Sequence, residues 1–336
     1  MILQAAEPAS IDRAAQVLAE GGLVAIPTET VYGLAADATN DAAVARIFET
    51  KGRPADHPLI VHVADRAGAD AFTGAWPPFA EQLAKAFWPG PLTLILPRRT
   101  EVARAAAAGL PTVGLRCPQH PAAQALLVAC ANRGVPGLAA PSANRFGRIS
   151  PTSAAHVVAE FADRLLLVLD GGNCEVGIES TIVDCTRGAP VLLRPGVLGA
   201  ERLEAAAGQR LQRREEPQGV DEPRAPGMLA AHYAPQATLR LMNARALQTA
   251  LDVLGPELDG TGAHIAVYAR SALKCRSASV LLRPMPQNST AAARQLFAVL
   301  RDCDDAGVRL IWVETPPDSP DWDGVRDRLL RASAAG

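Results

Sequence analysis

Twice in this chain a four-residue apolar run stops at a proline and gives way to small hydroxyl and amide side chains. Leu23-Val24-Ala25-Ile26 meets Pro27 and then Thr28-Glu29-Thr30, and Gly137-Leu138-Ala139-Ala140 meets Pro141 and then Ser142-Ala143-Asn144. A short apolar run bounded in this way reads as a buried strand. In open α/β sheets the carboxyl ends of such strands are where ligands sit. The two polar turns are therefore the first place to look for chemistry.

The first turn opens a polar island at 27–63. A helix is expected over 41–51, with Asn40 as N-cap and Asp41 suited to the positive end of the helix dipole. Val44, Ile47, Phe48 and Lys51 share one helical face, which aims Lys51 inward at the end of the apolar stripe. Arg53 should be extended, because Pro54 follows it. A strand returns over 58–63, with Ile60 and His62 on one face and Leu59, Val61 and Val63 on the other. Lys51 and Arg53 would also suit an ordinary helix end in solvent, a role worth only about 0.3–1 kcal/mol each. Their company argues for more: two threonines, a tyrosine and a histidine lie in the same unit.

Composition bounds the rest. The 336 residues suffice for two domains, and 49% hydrophobic with 20% charged residues supports a globular core. A net charge of −2 means that phosphate binding must come from local placement of cations. Six cysteines are scattered with no C-x-x-C pair, which disfavours zinc and dithiol chemistry. The N-terminal stretch does not read as a signal peptide and no apolar run is long enough to span a membrane, so a cytoplasmic location with reduced thiols is expected.

Ser10 is expected to cap a first helix with Ile11, Ala14, Ala15 and Leu18 inward and Gly21-Gly22 at its end. Further helices are expected at 77–87 and 120–132, with a rigid Trp88-Pro89-Gly90-Pro91 turn between them. Strands are expected at 92–96, 111–116, 137–140 and 165–170, followed by a turn into a strand over 177–184 and, within 191–196, a strand ending on Arg194. From 208 to 226 the chain turns polar and proline-bearing, a linker signature, and then reads Pro-Gly-Met-Leu-Ala-Ala-His-Tyr-Ala-Pro up to Pro235. Beyond it, strands at 238–242, 264–268, 280–282 and 310–313 alternate with helices at 244–254, 290–303 and 323–331, which indicates a small parallel α/β domain. Few polar side chains gather at its strand ends, so a supporting role is expected. The expected partition is 1–207, a linker or lid at 208–236, and 237–336.

No P-loop, dinucleotide fingerprint, G-x-S-x-G elbow or H-E-x-x-H is present. What remains is a set of strand ends and following loops: Thr30, Lys51, Arg53, His62, Arg116, Ser142, Asn144, Ser150, Ser180 and Arg194. Gathered in one crevice, the cations would repel one another, and a polyanion would balance them. A triphosphate with a divalent ion is the natural candidate. With few carboxylates nearby, chiefly Glu29 and Glu179, Mg2+ would be held mainly through the phosphates.

PTETVYGL, K-G-R-P followed by PLIVH, WPGPLT, PSAN with Ser-Pro-Thr eight residues on, GIEST and LRPG together resemble the YrdC-like threonylcarbamoyl-AMP synthases over 22–196. The PGMLAAHYAP segment and the domain after it resemble the long, two-domain form of that family. The resemblance implies an α/β fold: a twisted open mixed sheet with helices, linked to a small Rossmann-like parallel domain. It implies that L-threonine, bicarbonate and ATP give threonylcarbamoyl-AMP and pyrophosphate, for a separate transferase complex that modifies tRNA. It places Lys51, Arg53, Ser142 and Asn144 at the catalytic centre. Thr30, His62, Arg116, Ala140 and Ser180 would hold threonine. Arg53, His57, Thr112, Ser142, Asn144, Ser150 and Arg194 would hold ATP, with His232 and Tyr233 folding over it. His57 is a departure, since many relatives carry asparagine there.

Two other functions share parts of this pattern. A concave basic sheet could hold RNA, against which stand the net charge and the lack of an arginine-rich tail. A carbamoyl-transfer enzyme of the hydrogenase-maturation type carries a similar domain, but also zinc-binding cysteine pairs that this chain lacks.

Overall fold

The apolar runs become strands, and their alternation decides which helix covers which face. The computed structural model describes residues 1–164, 166–213, 231–254 and 264–335. Most of the expected linker (214–226), residues 227–230 of the segment after it and the first residue of the expected 165–170 strand lie outside the described residues. The described residues form two units: Met1–Phe146 with 150–213, and Gly147–Ile149 with 231–335.

In the first unit the strands are β1 (Ile2–Gln4), β2 (Val24–Ile26), β3 (Gly33–Asp37), β4 (Ile60–His62), β5 (Leu92–Pro97), β6 (Thr112–Arg116), β7 (Leu138–Ala139), β8 (Leu167–Asp170), β9 (Thr181–Asp184), β10 (Val191–Arg194) and β11 (Gln212–Arg213). Its helices are α1 (Pro8–Ala19), α2 (Asp41–Lys51), α3 (Arg66–Ala69), α4 (Pro78–Phe87), α5 (Pro121–Ala131), α6 (Ala154–Glu160) and α7 (Ala200–Ala207). The sheet order is β1-β8-β2-β3-β7-β4-β6-β5-β9-β10-β11. Pairing is mixed: β4–β6 and β5–β9 are parallel, whereas β2–β3, β3–β7 and β5–β6 are antiparallel.

Alternation along β2 shows how the layers form. Ala25 packs into one apolar cluster with Val44 and Ile47 of α2 and Leu83 of α4. Val24 and Ile26 pack into another with Ala14 and Leu18 of α1 and Leu126 of α5. Successive side chains point to opposite faces, so one strand serves both layers. Full burial of each such aliphatic side chain contributes about 1.5–3 kcal/mol.

Helix α2 starts and stops as its sequence directs. Asn40 Oδ1 accepts from the backbone N–H groups of Ala42 and Ala43, both at 3.1 Å. Gly52 ends the helix at φ 62°, a left-handed position that glycine adopts without strain. Helix α1 differs from expectation. Ser10 is not its cap: the helix begins at Pro8, with Glu7 at the N-cap position, and Ser10 lies buried inside the first turn. Proline at the first helical position needs no N–H and has a preset φ, which outweighs the capping preference of serine.

The second unit carries β12 (Thr238–Met242), α8 (Ala244–Val253), β13 (Ile265–Ala269), β14 (Val280–Pro284), α9 (Ser289–Asp305), β15 (Leu310–Glu314) and α10 (Asp323–Ser333). Its four strands are all parallel, in the order β12-β15-β13-β14. The mixed α/β sheet and the separate parallel sheet agree with the expected fold class. One feature was not foreseen: a polar cluster joins the carboxyl ends of β13 and β15. Glu314 accepts from the backbone N–H groups of Arg270 and Ser271 at 2.7 Å and from Arg270 Nη2 at 2.9 Å.

Candidate active site

The end of α2 is stitched to the loop that follows β7. Lys51 is 2% exposed, and its Nζ donates to the carbonyl of Ser142 at 2.6 Å and to the carbonyl of Asn144. In return the N–H of Phe146 donates to the carbonyl of Lys51 at 2.8 Å. The apolar stripe of Val44, Ile47 and Phe48 carries the lysine inward, as its spacing predicts, and all three are buried. Burial first, and then the neighbouring Arg53 charge, holds the Lys51 ammonium well below the usual lysine range, with Glu160 opposing the shift. Lys51 therefore meets Ser142 and Asn144 through their backbones, leaving their side chains for other partners. The Asn144 amide donates to the Arg145 carbonyl at 2.7 Å.

Arg53 donates to the carbonyl of Pro58 at 3.1 Å, and its guanidinium lies 5.8 Å from the centre of the Phe146 ring. His57 meets the same ring edge-on at 5.5 Å. Phe146 thus braces both expected nucleotide residues, a role that its place in a polar loop sequence did not reveal.

A second group forms at the carboxyl ends of β4 and β6. The parallel register sets His62 beside Arg116. Arg116 Nη2 lies 2.8 Å from Glu29 Oε1, an ion pair without hydrogen-bond geometry, and Arg116 Nε donates to the Gly90 carbonyl at 3.4 Å. Both Glu29 carboxylate oxygens, Arg116 Nη2 and His62 Nδ1 are buried without a hydrogen-bond partner. Burial, with the Arg116 charge adding to it, lowers the His62 pKa from 6.5 to about 3, so its imidazole is neutral at physiological pH. On the Glu29 side, Thr28 and Thr30 share a hydroxyl contact of 2.9 Å, and Thr28 Oγ1 also donates to the Val31 carbonyl at 2.6 Å.

A third group ties these strands to β9 and β10. Ser180 Oγ lies 2.7 Å from Thr93 Oγ1 and accepts from Arg194 Nη2 at 3.1 Å, while Arg194 Nε donates to the Ser180 carbonyl at 3.0 Å. Thr93 in turn pairs with Arg116 across β5 and β6. Ser150 Oγ donates to Glu179 Oε1.

The expected residues are therefore distributed over linked groups. Lys51, Ser142 and Asn144 meet directly; His62 and Arg116 are register partners; Ser180 and Arg194 are bonded. The cations are not a bare cluster, since backbone carbonyls and Glu29 already face them. Ala140 is 6% exposed just past β7, where its N–H donates to the Ile60 carbonyl at 3.0 Å. Thr112 sits at the opposite end of β6 from Arg116, roughly 13 Å away at strand rise. His232 and Tyr233 belong to the second unit. Tyr233 is 1% exposed at φ 62°, stacked on Phe297 at 5.5 Å, and the His232 N–H donates to the Arg331 carbonyl at 3.2 Å. Sequence reading missed Thr93, whose one signal is a lone hydroxyl within an apolar strand, and the pairing of Glu29 with Arg116.

All six cysteines are free, and no group of three histidine, cysteine or acidic side chains gathers to hold a metal among the described residues. No helix among them is long and apolar enough to cross a membrane.

Two family models match the chain. One, described as "Telomere recombination" and covering the Sua5, YciO and YrdC proteins, matches residues 16–196. The other, described as "Threonylcarbamoyl-AMP synthase, C-terminal domain", matches residues 198–334. The chain is 40% identical over 323 residues to the threonylcarbamoyl-AMP synthase of Pyrococcus abyssi, covering 95% of this chain and 93% of that protein. It is 39% identical over 336 residues to the threonylcarbamoyl-AMP synthase of Bacillus subtilis, covering 96% and 92%. The structure of P. abyssi Sua5 complexed with L-threonine matches with a TM-score of 0.88 at 37% identity, covering 100% of this chain and 98% of that one. With both models matched in order, and with relatives 40% and 39% identical over more than nine-tenths of either chain, the chain belongs to the threonylcarbamoyl-AMP synthase family, in its two-domain form.

Proposed function

We propose that this protein is an L-threonylcarbamoyladenylate synthase, a nucleotidyltransferase that converts L-threonine, bicarbonate and ATP to threonylcarbamoyl-AMP, pyrophosphate and water. The observation that carries this reading is the buried group formed by Glu29, His62 and Arg116. A carboxylate and a guanidinium 2.8 Å apart, with polar atoms left unpartnered, suit the two charged ends of an amino acid. Arg116 pairs with the threonine carboxylate, and Thr30, His62, Ala140 and Ser180 complete that side. The neutral imidazole of His62 offers a hydrogen bond rather than a charge.

Arg53, Ser142, Asn144, Ser150 and Arg194 face the nucleotide, with His57 and Thr112 at its edge. His232 and Tyr233, within the expected linker or lid segment at 208–236, are assigned to cover the nucleotide. The threonine amine attacks bicarbonate and water leaves, giving a carbamate. A carbamate oxygen then attacks the α-phosphorus, and the bond to pyrophosphate breaks. Two anions must approach for that step, so positioning and charge neutralisation are the enzyme's main contributions. Lys51 fixes the loop carrying Ser142 and Asn144, and with Arg53 it places positive charge where the anions meet.

Mg2+ accompanies ATP and offsets triphosphate charge. Among the described residues there is no cage of acidic and histidine ligands, and Glu179 beside Ser150 is the carboxylate suited to supply a single ligand. The product is a mixed anhydride suited to a cytoplasmic transferase complex that carries the threonylcarbamoyl group to an adenosine of tRNA, and contact with that complex is transient.

The test is a mass spectrum of the product formed with labelled bicarbonate, with pyrophosphate release measured alongside. A threonine-dependent adenylate carrying the label is expected. Label-free product, or serine turning over as well as threonine, overturns the assignment.

A further inference from the structure

The tripeptide Gly147–Ile149 belongs to the second unit, although the residues on either side of it belong to the first. Its backbone is held from several directions. The Ala234 N–H donates to the Gly147 carbonyl at 2.8 Å, and Arg148 forms a parallel bridge with Ala234. Arg148 Nη2 lies 3.3 Å from Asp304 Oδ2 on α9. Asp304 also accepts from the N–H groups of Gln236 at 2.8 Å and Ala237 at 3.2 Å, so one carboxylate holds both segments. One helical turn earlier, Arg301 donates from Nη2 to the Ile149 carbonyl. A tripeptide fixed by two backbone carbonyls and a side chain has little freedom left, and its neighbours inherit that restriction through the peptide bonds.

Those neighbours are Asn144, three residues before Gly147, and Ser150, directly after Ile149. Both are assigned above to the nucleotide. We infer that Arg301 and Asp304 are positioning residues for ATP: by gripping Gly147–Ile149, α9 sets the spacing of Asn144 and Ser150, and this is a function of the C-terminal domain in the reaction. The inference rests on the proposed assignment of Asn144 and Ser150 to the nucleotide. It predicts different effects on the two substrates, since none of the contacts described for Glu29, His62 and Arg116 involves the tripeptide.

The experiment uses the full-length protein and the variants Arg301→Ala, Arg301→Lys, Arg148→Ala, Asn144→Ala and Ser150→Ala. ATP KM and kcat are read from pyrophosphate release, and threonine affinity is read by calorimetry without ATP. Arg301→Ala is expected to raise ATP KM about tenfold with threonine affinity unchanged within twofold, and Arg301→Lys to restore most of the loss. Arg148→Ala, whose side chain is 32% exposed, changes in the same direction and serves if Arg301→Ala does not fold. If Asn144→Ala and Ser150→Ala raise ATP KM while Arg301→Ala and Arg148→Ala leave it unchanged, the positioning role is overturned and the site assignment stands. If Asn144→Ala and Ser150→Ala leave it unchanged, the site assignment fails and the inference falls with it. An equal loss of threonine and ATP affinity in Arg301→Ala reduces the residue to a general structural one and also overturns the inference.

Discussion

Arg116 and Glu29 sit 2.8 Å apart with side chains only 5% and 6% exposed. A buried ion pair is weak evidence for stability, since desolvation of two charges offsets most of their attraction. Removing one partner alone is another matter. Arg116→Ala is expected to destabilise the protein by about 3–5 kcal/mol, because Glu29 is left buried and uncompensated. Replacing both by leucine should recover most of that loss while leaving threonine turnover undetectable. Urea unfolding and threonine KM check the two halves separately. A double variant that still uses threonine would remove the pair from the substrate site.

Lys51→Met keeps the length of the side chain and removes its charge. Desolvation opposes the ammonium at this site, but the buried carbonyls of Ser142 and Asn144 are left without their donor, so a net destabilisation of about 1–3 kcal/mol is expected. The carbonyls of Ser142 and Asn144 lose their clamp, and kcat should fall at least about a hundredfold, the scale of losing one charged stabilising group in a dry site. Thermal unfolding with pyrophosphate release decides this. Retained turnover in a folded variant would leave Lys51 purely structural.

His62 gives a pH dependence of stability. Its folded pKa of about 3 lies below the ordinary 6.5, so between those values the unfolded chain binds a proton that the folded protein does not. Stability therefore falls as pH drops from about 6.5 toward 3, by up to about 1.4 kcal/mol per pH unit from this group. His62→Asn is expected to flatten that slope. Denaturant unfolding from pH 7 to pH 4 measures it, and parallel slopes for both proteins would count against the assignment.

Ser180, proposed above for threonine, joins Thr93 to Arg194, proposed above for the nucleotide. Loss of a hydrogen bond to a charged group is worth about 1.5–3 kcal/mol. Ser180→Ala should raise the KM of both threonine and ATP by about tenfold or more. A rise in only one of them would place Ser180 on that side alone.

Gly196 has no room for a side chain. A Cβ there would meet Thr181 N and Oγ1 at 2.6 Å, and the first of these is backbone that cannot yield cheaply. Gly196→Ala is expected to destabilise by about 1–3 kcal/mol. Because Thr181 follows Ser180, threonine KM should rise as well, and an unchanged melting temperature would contradict the packing argument.

The legible parts of the protein were those decided locally. Helix α2 announced its cap at Asn40 and its apolar stripe within a dozen residues, and its end was marked by Pro54 holding Arg53 extended. The four strands of the second unit were readable because apolar runs alternate with amphipathic helices there. Strand β3 was not. Its Gly-Leu-Ala-Ala-Asp sequence has little strand propensity, and it forms because β2 and β7 supply ladder partners on either side. Ser10 misled for a different reason, since two start signals stood close together and the proline won.

The site divides in the same way. Sequence alone determined which residue types stand at the strand ends and that Lys51 points inward, because periodicity and proline punctuation act over a few residues. It also carried the family likeness, since motif order survives in the linear chain. Only the tertiary structure decided what each group meets: Lys51 the carbonyls of Ser142 and Asn144, Arg116 the carboxylate of Glu29, Ser180 both Thr93 and Arg194. Those partners are set by strand order and register. A buried charge takes whichever counter-group the sheet brings within about 3 Å, and nothing in its own neighbourhood of the chain encodes that choice.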